Sequence, residues 1–373
     1  MPDIVDITII GAGVVGLAIA SQVARQHRKV YVAEKNETFG QEQSARNSEV
    51  IHSGIYYGRD FLKTKLCLEG NDLIYELCEN YGIAFNRCGK MFVAVNDLEA
   101  EMLEGLYKNG TDNGLPLKML SQKEMRQLEP NVRGIAAFLS PTSGIVDSYA
   151  LMKYFLDKAR GNGAHIIYKS KVIGIEKVSG GYEVRIDAPS GGTVFTTRVL
   201  INCAGLYSDR IAEMAGINIE EANYRLYWGK GEYYSVGGGK NRLINRLVYP
   251  VPEPVGPGIH TCLDVNWRLR LGPLFHYVEK IDYKVDDSRK SVFLQSSMVK
   301  ALPFIEPSDL EPETSGIMAM LYREGEPVSD FIIRHEQDRG LPGFINLIGI
   351  DSPGLTASPA IARYVSQLID EVD

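Results

Sequence analysis

The sequence predicts an α/β protein organised around a parallel sheet, and three stretches predict it. Near the N-terminus an apolar run over 4–10 meets Gly11-Ala12-Gly13-Val14-Val15-Gly16, followed by helically spaced apolar residues over 17–24. In the middle, alternating runs separated by Gly180-Gly181 and Gly191-Gly192 describe a β-meander whose last strand ends at Cys203. Near the C-terminus, 344–349 reads as a strand, 350–359 as a glycine-containing turn and 360–370 as a helix.

Composition bounds the rest. The chain has 373 residues, enough for two to three domains' worth of buried core, and 37 glycines. That is about 10% glycine against roughly 7% in ordinary usage, and the surplus falls largely in the turns just named. A net charge of -7 argues against a nucleic-acid partner, which would call for a basic stripe. Five cysteines (Cys67, Cys78, Cys88, Cys203, Cys262) form no CxxC pair, and an odd count does not make a complete disulfide framework. A reduced, cytoplasmic chain without a metal site is therefore expected. The acidic opening Met1-Pro2-Asp3 leads straight into the first strand, so no signal peptide is read there. The most apolar stretch, 7–20, is too short to span a bilayer and is broken by glycines, so no transmembrane segment is expected; peripheral membrane contact stays open.

The first stretch carries a physical mechanism. With a second strand over 29–33, it forms a βαβ unit with GxGxxG at its first turn, a Rossmann-like dinucleotide site. Gly11 permits the tight turn, Gly13 lets the backbone approach a pyrophosphate, and Gly16 allows helix and strand to pack closely. The unpaired N–H groups at the helix start then face the phosphates. Glu34, at the tip of the second strand, would accept hydrogen bonds from the adenosine ribose, and an acid there disfavours the 2′-phosphate of NADP.

An NAD enzyme would continue with regular β/α alternation. Here 38–58 is polar and irregular, the meander intervenes, and a late strand–glycine–helix block closes the chain. Five further stretches stand out: the run Arg46-Asn47-Ser48-Glu49-Val50-Ile51-His52-Ser53-Gly54-Ile55-Tyr56-Tyr57, Cys88-Gly89-Lys90, Ser143-Gly144-Ile145-Val146-Asp147, Tyr249-Pro250-Val251-Pro252 and 349–358. On these residues the sequence resembles the FAD-dependent glycine/D-amino-acid-oxidase-like superfamily over essentially its whole length. Within it, the sequence is similar to the L-2-hydroxyglutarate dehydrogenase/oxidase branch.

The resemblance implies a Rossmann-like FAD-binding lobe of the GR2/D-amino-acid-oxidase type plus an α+β substrate lobe with a mainly antiparallel sheet. The FAD lobe would comprise 1–85, 148–225 and 325–373, and the substrate-binding, catalytic lobe 86–147 and 226–324. It further implies that FAD is held by Gly11, Gly13, Val14, Val15, Gly16, Glu34 and Lys35 at the first turn and second strand. Ser44, Arg46, Asn47, Ser48 and Val50 would run along the flavin, Val172 would meet the adenine, and Ala204 and Gly205 would lie against the cofactor. Gly349, Ser352, Gly354, Leu355 and Thr356 would surround the flavin pyrimidine edge.

Oxidising a carbon that bears a hydroxyl requires a proton acceptor and donors for the substrate's anionic group. His52, inside the flavin-flanking run, has the pKa range for that acceptor; His260, shortly after the Tyr249-Pro250-Val251-Pro252 block, is a second candidate. Tyr57, Lys90, Tyr233 and Tyr249 could line a carboxylate pocket, although in a chain with 20 tyrosines core packing is the commoner reason for any one of them. The expected activity is an FAD-dependent dehydrogenase or oxidase acting on a small anionic 2-hydroxy acid and passing electrons to oxygen, a quinone or a protein carrier.

Three departures bear on the substrate. Relatives carry Gly-Ile-Arg-Pro, its arginine gripping a carboxylate, where this chain has Gly316-Ile317-Met318-Ala319. A methionine makes no charged pair, and losing one costs about 2–5 kcal/mol. The Pro-Gly-Ser usual after the double tyrosine is replaced by Gly58-Arg59-Asp60, and a glycine-rich loop by Trp267-Arg268-Leu269-Arg270. A glycerol-3-phosphate-like alcohol, an amino-acid CH–NH group, a non-catalytic flavoprotein and an NAD dehydrogenase are the alternatives at this point.

Overall fold

The computed structural model describes residues 4–189, 191–252 and 258–372; the Met1-Pro2-Asp3 opening lies outside them. The first strand, Val5–Ile10, is central: four of its six side chains are apolar, and all but Asp6 are buried, on both faces of the strand. It pairs in parallel with Val30–Ala33 on one side and with Thr193–Asn202 on the other. His165–Ile167 extends the parallel set beyond Val30–Ala33.

Thr193–Asn202 does two things along its length. Its first half closes the antiparallel meander with Gly181–Asp187 and Lys171–Val178. Its second half receives Phe344–Ile348 in parallel, which in turn carries Ile332–His335 antiparallel. The result is an eight-stranded sheet.

Helices Val14–Val23, Ser148–Gly161 and Gly354–Asp370 cover one face, where Leu17, Ile19, Leu151, Phe155, Ile361 and Val365 share a core with Ile7, Ile9, Ile345 and Leu347. The helix Leu62–Tyr81 packs across Gly354–Asp370. On the other face, Leu200, Phe344 and Ile348 share a core with Ile317 and Ala319 from a different sheet. This apolar contact fixes the two sheets against each other.

That second sheet is fully antiparallel, ordered His260–Leu263, Leu269–Val278, Tyr227–Val236 and Leu310–Met320. A third sheet joins Lys118–Leu120, Ala136–Ser140 and Lys90–Ala94 to Leu247–Tyr249, the last pair parallel. Sequence pattern leaves 261–286 irregular, but most of its first two thirds is regular strand. Leu269–Val278 is buried from both faces over its first half, so no alternation survives. The C-terminal helix also begins six residues earlier than the pattern suggests, at Gly354, and contains Pro359. Proline cannot donate to the Leu355 carbonyl one turn back, and the Ser358 hydroxyl donates to that carbonyl instead, at 2.9 Å. No helix among the described residues is long and apolar enough to cross a membrane.

Candidate active site

A cavity of about 920 Å³ lies between the eight-stranded sheet and the antiparallel sheet. Its first end is built by the opening turn. Gly11 has φ +106°, and a Cβ there would stand 2.5 Å from the Cys203 carbonyl oxygen. A Cβ on Gly16 would stand 2.1 Å from the Gly11 oxygen, and one on Gly13 would stand 2.9 Å from Ser44 Oγ. Val14 N–H donates to Ser44 Oγ at 3.0 Å, tying the helix start to the irregular segment.

Glu34 is buried, and its carboxylate accepts from Ala12 N and Asn36 N, both at 2.8 Å. Two backbone amides thus orient it, and its further lone pairs are left for a ribose. Val15, Lys35, Val172, Ala204 and Gly205 line the same end, with Lys35 Nζ 3.8 Å above the Tyr207 ring.

Arg46, Asn47, Ser48 and Val50 continue the wall. The Arg46 guanidinium lies 3.9 Å over the Tyr283 ring, and its buried Nε has no partner. An orphaned cationic N–H on a cavity wall is the mark of a polar ligand that supplies the acceptor. Glycine cradle, oriented carboxylate and orphaned guanidinium together fit a dinucleotide.

The C-terminal turn supplies Ser352, Gly354 and Leu355 to the wall, but Gly349 and Thr356 sit one layer behind it. Gly349 has φ +68°, and a Cβ there would stand 2.3 Å from Leu321. It is glycine for backbone and packing reasons, not for contact with a ligand. Thr356 is fully buried; its Oγ1 accepts from His52 N at 3.0 Å and donates to Val50 O at 3.3 Å. It pins the backbone of His52.

The remaining wall brings together His52, His260, Tyr57 and Tyr233. The His52 carbonyl accepts from Asn71 Nδ2 at 2.8 Å, and its Nε2 stands 3.5 Å from Ser352 Oγ. Burial, reinforced by the repulsion that a protonated Lys90 and then a protonated His260 would exert, holds the His52 imidazole well below its ordinary pKa. Burial and Lys90 do the same to His260. Both rings are neutral near pH 7, and a neutral ring keeps a lone pair for a proton.

Lys90 and Tyr249, expected on the pocket wall, stand behind it. Lys90 Nζ is 3.5 Å from His52 Nδ1, and the Tyr249 ring stacks on His260 with centroids 3.7 Å apart and planes 10° apart. Each begins or ends a strand of the third sheet, which lies outside the wall.

Sequence reasoning assigns no site role to Tyr56, Asp351 or Lys63. Tyr56 lines the cavity with its hydroxyl buried and unpartnered, and its place next to Tyr57 in the same run was the available signal. Asp351 lines the cavity and pairs with Lys63 at 2.8 Å, both side chains buried; burial raises the Asp351 carboxyl while Lys63 pulls against it. These two meet only in the fold and leave no local signal. The antiparallel sheet contributes Gly316, Met318, Met320, Pro273 and Phe275, an apolar roof without a cation.

A family model described as FAD dependent oxidoreductase matches residues 6–368, nearly the whole chain. The chain belongs to the FAD-dependent oxidoreductases. Its cofactor is FAD, and the cradle above is where the chain can hold it. The mitochondrial L-2-hydroxyglutarate dehydrogenase of Arabidopsis thaliana is 34% identical over 405 residues, covering 97% of this chain and 83% of that protein. A glycerol 3-phosphate dehydrogenase of Caloramator mitchellensis is 30% identical, covering 98% of this chain and 74% of that protein. Among solved structures, a dithionite-reduced L-α-glycerophosphate oxidase from Mycoplasma pneumoniae with FAD bound superposes with a TM-score of 0.87. It is 26% identical, with 99% of this chain and 95% of that one covered. The FAD-dependent oxidoreductase fold therefore accounts for both sheets of the cavity wall.

Proposed function

We propose that this oxidoreductase removes hydride from the CH–OH carbon of a small anionic 2-hydroxy acid, with L-2-hydroxyglutarate as the reference compound. The observation that carries the reading is His52: a neutral imidazole on the cavity wall, held by Thr356 and Asn71 through its own backbone. FAD supplies the hydride acceptor at flavin N5. The chain's own residues do the rest. His52 Nε2 takes the hydroxyl proton, and Ser352 Oγ beside it orients the same hydroxyl. Tyr56, Tyr57 and Tyr233 offer hydroxyl donors to the carboxylate, with the unpartnered Tyr56 hydroxyl first among them. His260 closes the far side, and the apolar roof excludes water.

In the same reading 1–85, 148–225 and 325–373 act as the FAD lobe, and 86–147 with 226–324 bring the substrate. The cations on the wall are Lys35, Lys171 and Arg210, neighbours of the nucleotide-end residues, and Arg46. A glycerol-phosphate-like alcohol is the second reading, supported by the 30% identical glycerol 3-phosphate dehydrogenase and separated from the first by which substrate reduces the flavin.

Met318 is the specificity position. Met318 lines the cavity, and by the resemblance its thioether replaces a guanidinium that grips carboxylate, so neutral hydroxyls carry that load here. In Met318→Arg, KM for L-2-hydroxyglutarate should fall about tenfold, the equivalent of ~1.4 kcal/mol. Unchanged KM in a variant that still retains FAD would remove Met318 from the account of substrate choice.

A further inference from the structure

Behind His52 lies a lysine that the chemistry above does not use. Lys90 opens the strand Lys90–Ala94 and is 1% exposed. Its Nζ stands 3.5 Å from His52 Nδ1 and 3.9 Å above the Tyr249 ring. The rings of Phe92 and Tyr56 follow at 5.7 and 5.9 Å.

Every titratable group facing Lys90 is neutral in the fold near pH 7. His52 and Tyr56 come from the flavin-flanking run, Cys67 from the helix Leu62–Tyr81, and Cys88 from the approach to its own strand. Tyr249 comes from the adjacent strand, and His260 and Cys262 from the antiparallel sheet. Burial pushes the Cys67 and Cys262 thiols up to about 12 and raises Cys88, Tyr56 and Tyr249 as well. Among the described residues no carboxylate pairs with Lys90. An ammonium without a counterion in such a place is costly, and burial lowers the Lys90 amine to about 7.

We propose that Lys90 is the positioning residue and proton store of the site: its neutral amine accepts Nδ1–H of His52, which leaves Nε2 bare toward the substrate. The proposal rests on the reading of His52 as the proton acceptor. The spacing of 3.5 Å is long for a hydrogen bond, as catalytic contacts often are before substrate tightens them. Ser352 Oγ, at 3.5 Å from Nε2, is a donor that a bare Nε2 can accept from.

The proton then moves in two linked transfers. The substrate O–H bond breaks and an N–H bond forms at Nε2; the Nδ1–H bond breaks and an N–H bond forms at Lys90 Nζ. The O–H bonding pair becomes the second C–O bond as hydride leaves the carbon for the oxidant, FAD. His52 ends neutral in its other tautomer, and the positive charge rests on Lys90.

The test is a nitrogen NMR titration of the FAD-loaded full chain labelled at histidine nitrogen, without substrate, with His52 assigned from its loss in His52→Gln. The proposal expects His52 to carry its proton on Nδ1 and its ring shifts to move with an inflection near pH 7 while the ring stays neutral. In Lys90→Met with FAD retained, that inflection should vanish. His52 protonated on Nε2 in the wild-type protein overturns the proposal, and this outcome needs no variant to fold. Survival of the inflection in Lys90→Met overturns it too. Because no substrate is added, these results stand apart from whether a 2-hydroxy acid is the substrate.

Discussion

His52 is placed by its neighbours more than by its own side chain. Thr356 and Asn71 hold its backbone from two different helices, and Ser352 and Lys90 flank its two ring nitrogens. Removing the ring while keeping the backbone should therefore separate chemistry from cofactor binding. His52→Ala is expected to lower the rate of flavin reduction by about 10²–10⁴-fold with FAD content unchanged, as measured by absorbance and rapid mixing. An unaltered reduction rate would falsify the base role. His52 was legible in the sequence because it sits in a motif-bearing run beside the tyrosines. Its pairing with Lys90 was not, since the partner arrives from another sheet and Cys88-Gly89-Lys90 gives no hint of which way the amine points.

At the scale of elements, the site depends on how the helix Leu62–Tyr81 crosses Gly354–Asp370. Gly70 makes that crossing close: a Cβ there would stand 2.2 Å from the Thr356 oxygen and 2.9 Å from the Ala357 Cα. Both obstacles are backbone, so the helices must separate. Gly70→Ala is expected to destabilise the fold by about 1–3 kcal/mol, read by denaturant titration, and to slow flavin reduction by moving Thr356 and with it His52. A variant with wild-type stability would show that the crossing tolerates the added methyl. The glycine turns of the parallel core were readable because backbone geometry demands glycine there. The start of the C-terminal helix was not, because Pro353, Gly354 and Pro359 read as breakers while Ser358 satisfies the carbonyl that Pro359 abandons. The strand Leu269–Val278 was hidden by its burial on both faces, which erases the period of two.

The molecule as a whole stores several bases in their neutral forms, and this sets how its stability depends on pH. Well below pH 7 the folded chain protonates Lys90 as fully as the unfolded chain does, but from about 7 upward the folded amine is released while the unfolded one, near 10.5, is still charged. The unfolded state then binds more protons, so stability rises with pH. Below 6.5 the same sign holds for His52 and His260, whose folded values lie well under the ordinary 6.5, and stability falls as the pH drops. Thermal unfolding is expected to shift upward between pH 6.5 and 8.5, with a smaller shift in Lys90→Met; an equal shift in the two proteins would mean that Lys90 stays charged in the fold. The sheet order is less legible than the sheets themselves, because Leu247–Tyr249 joins Lys90–Ala94 across a long sequence separation without a local signal.

The most direct test of the central claim is anaerobic mixing of the purified, FAD-loaded protein with a panel of 2-hydroxy acids, glycerol 3-phosphate and amino acids. The account predicts that a small 2-hydroxy acid bleaches the oxidised-flavin absorbance in a single turnover and yields the matching 2-oxo acid. Flavin that every 2-hydroxy acid leaves oxidised, while an amino acid or glycerol 3-phosphate reduces it, would contradict the account.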